Sequence, residues 1–330
     1  MKTVYRKLVF GLLMTGLLAV VPSARAQQPA KIPRIGFESD SPVTSIAARV
    51  DGFRQGLREL GYIEGKTITI EWRSADLKPE RRSEIALELV RSKVDLIVSA
   101  GPTITRALRE ATTTIPIIMA QDTDPVGSGF VANLAKPGGN ITGLSALSPE
   151  MSGKQLELLK EILPKLSRVA VIGNSTNPGD AQALRETVLA AGAYELYLRY
   201  LDVQDAKDIE PVLRAAAKGR ADALMVLGNP ILNLKRQQVV DLAAKLRLPA
   251  AYARPEYVEA GGLMTYGTNY PELFRRAATY VDKILKGAQP ADLPVEQPKK
   301  FEFIINLKAA KQIGVRIPPN VLARADRVIK

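Results

Sequence analysis

The chain contains neither histidine nor cysteine, so imidazole and thiolate metal sites, Ser-His-Asp triads and Cys-His pairs are all excluded. Neither a metal nor a cofactor is expected. The remaining chemistry lies in hydroxyls, amides and carboxylates, which gather in six short loops. These are Glu38-Ser39-Asp40-Ser41, Gly101-Pro102-Thr103, Gln121-Asp122-Thr123-Asp124-Pro125, Asn174-Ser175-Thr176-Asn177, Gly228-Asn229-Pro230 and Ala253-Arg254. Neutral polar groups backed by free helix N–H groups suit the carboxylate of a small ligand, while Asp122 or Asp124 could receive an ammonium. Taken singly, each such residue is explained at least as well as a helix N-cap worth about 1 kcal/mol, with proline setting the turn. No G-x-G-x-x-G loop occurs, and Gly65-Lys66-Thr67 has Leu60 where a G-x-x-x-x-G-K-[ST] loop needs its first glycine, so the phosphate-cradling fingerprints are missing.

The candidate ligand-binding residues are Ser39, Gly101, Thr103, Asp122, Asp124, Asn174, Ser175, Asn229, Tyr257 and Tyr266. Thr103 and the adjoining helix N-terminus would hold an anionic end, Asp122 or Asp124 a cationic end, and Asn174 and Asn229 would close from the far side of a cleft. Tyr257 or Tyr266 would flank an apolar body. The four tyrosines at 252, 257, 266 and 270 are equally readable as hinge packing with their hydroxyls at the surface. The lone Trp72 reads as core or lobe surface rather than a ligand stack. The set suits an amino acid or related small carboxylate better than a sugar, for which more stacked tryptophan is expected.

For these loops to converge, the elements between them must present their ends on one side. A chain of 330 residues is too long for one ordinary core, since domains cluster at roughly 100 to 200 residues. Strands are predicted at 34–37, 67–72, 94–100, 115–120 and 141–147. Ile46, Val50, Phe53, Leu57 and Leu60 recur at the spacing of a helix buried on one face, and 79–90 and 103–111 supply two more helices. The order then begins again, with helices at 155–163, 181–190, 209–217 and 232–246 around strands at 168–173, 195–201, 221–227 and 249–253. Residues 94–104 and 221–231 share Asp, Gly and Ile at their second, eighth and eleventh positions, the mark of one architecture used twice. A strand at 263–266, a helix at 271–285, an extended segment held by Pro290, Pro294 and Pro298, and a strand at 301–307 complete the chain. Apolar strands separated by helices imply parallel, doubly wound sheets, whose ligands sit beyond the carboxyl ends of the strands, where all six loops fall. The expected fold is α/β, two doubly wound parallel-sheet lobes joined by a three-crossing hinge near 145–149, 259–262 and 294–299. Lobe one comprises 32–147 plus 263–296, and lobe two 148–262 plus 297–330.

At the amino end, Lys2, Arg6 and Lys7 precede an apolar run from Leu8 to Val21, and Ala24-Arg25-Ala26 offers an A-x-A cleavage pattern. Residues 1–26 therefore read as a cleavable signal peptide, its run too short for the ~20 residues of a permanent span. Cleavage before Gln27 removes Lys2, Arg6, Lys7 and Arg25, taking the formal charge from +12 to +8. The other basic residues are scattered without interleaved aromatics, so nucleic acid is not an expected partner.

Four stretches, 49–76, 94–108, 115–145 and 262–318, resemble the ABC-transporter substrate-binding family related to bacterial tryptophan, phenylalanine and branched-chain amino-acid receptors. The resemblance runs from about Ile32 to Pro318. It implies the type I periplasmic-binding fold, a small-molecule solute, delivery to an ABC permease in the inner membrane, and no catalysis. It carries over the loops Gly101 to Thr103, Asp122 to Pro125, Asn174 to Asn177 and Gly228 to Pro230. Lacking the lipobox cysteine of lipid-anchored members, the protein is expected to be a freely soluble periplasmic monomer. Two other readings stand beside this one. The first is an exported carboxylate-dependent enzyme, such as a glycosidase using two of Asp40, Asp122, Asp124 and Glu256, which no spacing favours. The second is a ligand-sensing partner of a membrane protein.

Overall fold

The first sheet consists of β1 (Arg34–Ser39), the partly exposed edge strand β2 (Thr69–Ser74), and the buried runs β3 (Leu96–Ser99), β4 (Ile117–Met119) and β5 (Ile141–Gly143). The structure is a computed structural model described for residues 31–330 except Leu147 and Lys299; the expected signal peptide lies outside the described residues. The five strands run parallel in the order β2-β1-β3-β4-β5. Helices α1 (Ala47–Glu59), α2 (Pro79–Arg91) and α3 (Pro102–Ala111) connect them. Alternation along β1 sends Ile35 and Phe37 into a core with Val50 and Phe53 of α1, and turns Gly36 toward Leu89 and Ile97 on the opposite face.

The chain then enters α4 (Ser148–Ile162), β6 (Arg168–Gly173), α5 (Pro178–Ala193), β7 (Tyr197–Asp202), α6 (Ile209–Lys218) and β8 (Ala223–Val226). Next come α7 (Pro230–Leu234), α8 (Arg236–Lys245), β9 (Ala250–Tyr252), α9 (Pro255–Glu259), β10 (Met264–Thr268) and α10 (Tyr270–Leu285). The chain ends with β11 (Phe301–Asn306), α11 (Leu307–Ile313), α12 (Pro319–Leu322) and β12 (Arg327–Ile329). The second sheet has the order β12-β11-β10-β9-β8-β6-β7, parallel except where β10 meets β11. The repeat is visible in the backbone. Asp95 and Asp222, the shared second-position residues, each accept the N–H of the arginine that opens a central strand, Arg34 at 2.7 Å and Arg168 at 2.8 Å.

The sheet order corrects one expected boundary. Residues 264–268 belong to the second lobe, because Met264 and Thr265 register with Ala251 and Tyr252 on one side and with Ile305 and Ile304 on the other. Gly261-Gly262 turns within that lobe, where a Cβ on Gly262 would lie 2.6 Å from the Tyr252 ring. The crossing falls at Asn269, whose side chain caps α10 by accepting the Glu272 N–H at 3.0 Å. Helix α10 then returns to the first lobe and packs on α1 at backbone distance, since a Cβ on Gly52 or Gly56 would lie 2.3 Å from Pro271 O or 2.2 Å from Arg275 O. The remaining crossings run side by side, with the Ser145 N–H donating to Glu296 O at 2.9 Å. The helix expected at 232–246 is broken at Lys235, and Pro255–Glu259, which no predicted element covers, is helical.

Candidate ligand-binding cleft

All six polar loops reach one cavity between the lobes. It is lined by Ser39, Asp40, Ser41, Ala100 to Thr103 and Gln121 to Thr123 from the first sheet's loops, and by Asn177, Gly228, Pro230 and Arg254 from the second's. Ile46, Arg49, Ala146, Asn233 and Tyr270 complete the wall. Measured out to its open mouth, the cleft has a volume of about 660 Å³.

Of the ten candidate residues, Ser39, Gly101, Thr103 and Asp122 line this cavity. Ser39 Oγ donates to Ser41 O at 2.7 Å, and Thr103 Oγ1 to Asp40 Oδ2 at 3.4 Å. Asp40 is held by two bonds from Arg82, at 2.8 and 3.1 Å. Asp122 is buried, and one of its oxygens accepts the Asp124 N–H at 3.2 Å while Oδ2 has no hydrogen-bond partner. Burial pushes this carboxyl up to about 7. Asp124 instead sits where the lobes meet, accepting from Gln182 Nε2 on α5 at 2.7 Å.

The other five candidates lie elsewhere. Asn229 Oδ1 caps α7 through the Leu232 N–H at 2.9 Å, and its amide donates to buried Asp180, which also accepts the Asn174 N–H. Asn174 Oδ1 is turned to Thr176. Asn229 is thus the N-cap of α7, whereas Asn174 holds the turn before α5, whose N-cap is Asn177. Ser175 faces outward and bonds Asp202 at 2.7 and 2.8 Å. Tyr257 is fully buried and stacks on Tyr252 at 5.0 Å, and Tyr266 packs against Phe301 and Phe303, so both are packing residues.

Arg49, which the sequence reading did not single out, brings a further charge to the cleft beside Arg254 and Glu256. Arg49 is 3% exposed and donates to Glu256 Oε1 across the lobes at 2.7 Å. Burial works against the ionised form of Glu256, yet the Arg49 and Arg254 charges hold it down to about 2. Both guanidinium groups lie over the Tyr270 ring, Arg254 at 4.4 Å and Arg49 at 5.0 Å from its centre. Arg254 Nε and Nη1 are buried without a hydrogen-bond partner, as are Gln121 Oε1, Thr123 Oγ1 and Asn233 Oδ1. A signal for Arg49 did exist: it lies on the apolar stripe of Ile46, Val50 and Phe53, where a surface arginine has no place.

Two α/β lobes with a polar cleft beyond their strand ends define the type I periplasmic-binding fold. A family model described as ABC transporter substrate binding protein matches residues 42–329, and the chain belongs to that family. It is 28% identical over 287 residues to the tyrosine-binding protein of Clostridioides difficile strain R20291, covering 87% of this chain and 82% of that protein. Among solved structures it is similar to a conserved domain protein from Vibrio cholerae, with a TM-score of 0.86, 30% identity, and 90% and 100% of the two chains covered. It is also similar to an ABC domain from Streptococcus pneumoniae in complex with L-Trp, with a TM-score of 0.85, 27% identity, and 90% and 99% covered.

Proposed function

We propose that the protein is the periplasmic receptor of an ABC importer, binding an amino acid or related small carboxylate between its lobes and delivering it unaltered to an inner-membrane permease. The observation that carries this reading is the pairing of opposite unmet needs across one cleft. Arg254 of the second lobe brings two unpartnered donors, and Asp122 of the first brings an unpartnered carboxylate oxygen. A zwitterion answers both, and a ligand held from both sides favours the closed form over the open one. The amino acids named for the C. difficile and S. pneumoniae proteins support the same class. Cleavage after Ala26 would release the mature chain as a soluble monomer.

The test is a thermal-shift screen of amino acids, small carboxylates and sugars, followed by titration calorimetry on the best binder. Ligand at a hundredfold excess over Kd should stabilise the native state by about 2.7 kcal/mol. Arg254→Gln and Asp122→Asn should each remove a charge-assisted bond worth about 1.5 to 3 kcal/mol, weakening binding about tenfold to over a hundredfold. Sugars binding in place of amino acids, or turnover of a bound compound to an altered product, would overturn the proposal.

A further inference from the structure

A second cavity opens at the hinge and shares no lining residue with the solute cleft. Measured out to its mouth it has about 1170 Å³, against about 660 Å³ for the cleft. All three crossings contribute to its wall: Leu144 leads into the first, Thr268 and Asn269 belong to the second, and residues 296–298 to the third. Helix α10 closes it from the first lobe, and Phe301, Glu302 and Asp326 close it from the second. We propose that this hinge cavity binds a small amphipathic organic cation, an ammonium on a short apolar body, and that the occupant holds the lobes in the closed arrangement.

Charge selects the cation. Of the lining groups, Arg276 is paired with Glu296, and Glu272 is paired with Arg275. The Glu302 carboxylate receives only the neutral Asn269 amide, at 2.7 Å, and the Asp326 carboxylate only the Phe303 N–H, at 2.8 Å. Neither has an ion-pair partner among the described residues. Against these two carboxylates the lining sets one uncommitted cation, Lys300, so the cavity keeps a net negative charge. A bare metal ion does not suit it, because no three acidic side chains converge to hold one among the described residues. Leu144 and Leu273, nearly buried, join Pro298 and Phe301 to offer an apolar surface instead.

Position gives the occupant leverage. Asn269 Oδ1 caps α10 of the first lobe through the Glu272 N–H, and its amide reaches Glu302 of the second. An ammonium on Glu302 is therefore one hydrogen bond from the residue where the chain crosses. Opening the lobes turns α10 against β11 and moves the cavity walls, so a molecule fitted to this arrangement stabilises it. By linkage, a solute in the cleft and a cation at the hinge that both prefer the closed form strengthen each other.

The experiment is calorimetric titration of the mature, solute-free protein with hexylammonium, and with hexanoate and 1-hexanol as matched probes. Hexylammonium should bind at least about tenfold more tightly than either. Combining Glu302→Gln with Asp326→Asn, which keeps an acceptor oxygen at each position, should weaken it on the order of fivefold or more; this variant also separates the hinge from Asp122 in the cleft. In small-angle scattering, saturating hexylammonium should compact the solute-free Glu256→Gln variant, which lacks the Arg49 bond between the lobes. No binding, equal binding of hexanoate or hexanol, unchanged affinity in the double variant, or an unaltered scattering profile would each overturn the inference. None of these readouts involves the cleft solute, so the receptor reading stands or falls separately on its own screen.

Discussion

Glu38, at the end of β1, gives a quantitative handle on how dry the floor of the first lobe is. Its carboxyl is fully buried and neither oxygen has a hydrogen-bond partner. Burial first, and the neighbouring Asp40 charge second, push it up from 4.5 to about 8, against the opposing pull of Arg82. The native state therefore keeps its proton across a range in which the unfolded chain has lost it. Stability must then fall as pH rises from about 4.5 and level off above about 8. At about 1.4 kcal/mol per pH unit the loss is on the order of 5 kcal/mol. Glu38→Gln keeps the shape and removes the titration. Its stability relative to wild type should be greater at pH 8.5 than at pH 5 by a few kcal/mol, whatever fixed cost the amide carries. Melting temperatures at the two pH values read this as a widening gap of several degrees, at about 2–4 °C per kcal/mol. Asp122 and Asp180, pushed up to about 7 and about 6, titrate in both proteins and cancel in the comparison. An equal gap at pH 5 and pH 8.5 would refute the reasoning, because it would mean that Glu38 ionises as it does in water.

Further expectations concern closure, charge and packing. Glu256→Gln strands the buried Arg49 guanidinium only when the lobes are closed, so ligand affinity should drop at least about tenfold and the free protein should expand in small-angle scattering. An ammonium received by Asp122 needs the carboxylate, so amino-acid affinity should rise with pH through about 7 and lose that dependence in Asp122→Asn, as followed by calorimetry. Gly52→Ala or Gly56→Ala forces α1 off α10 and should destabilise by about 1 to 3 kcal/mol in thermal melts, despite the better helix propensity of alanine. Mass spectrometry of protein from a periplasmic extract should find Gln27 at the amino terminus; a retained Met1 would count against the signal peptide.

The sequence made the architecture legible because burial leaves periodic traces. The doubled motif of Asp95 and Asp222 reappears as the same strand-opening bond in both lobes, and the polar loops after the strands reach one cavity. What it could not convey is where a loop side chain turns. Asn229 and Arg254 occupy similar loops, yet the first caps its own helix and the second faces the cleft. Tyr257 and Tyr270 are both buried tyrosines at helix starts, and only tertiary packing separates the core stack from the cavity wall. Strand β10 was given to the wrong lobe for a related reason. An apolar run reports that it is buried, while its partner depends on a pairing with β11 made from far along the chain.

Helix α10 has a consequence for how the protein comes into being. Ile35, Phe37 and Phe53 are covered in part by Phe274, Ala277 and Val281, residues that lie beyond most of the second lobe in chain order. The second sheet in turn waits for β11 and β12, the last strands of all. A chain emerging amino end first, from a ribosome or through a membrane channel, therefore exposes an unfinished apolar face until nearly its full length is available. Interleaving the lobes thus couples their folding to completion of the polypeptide.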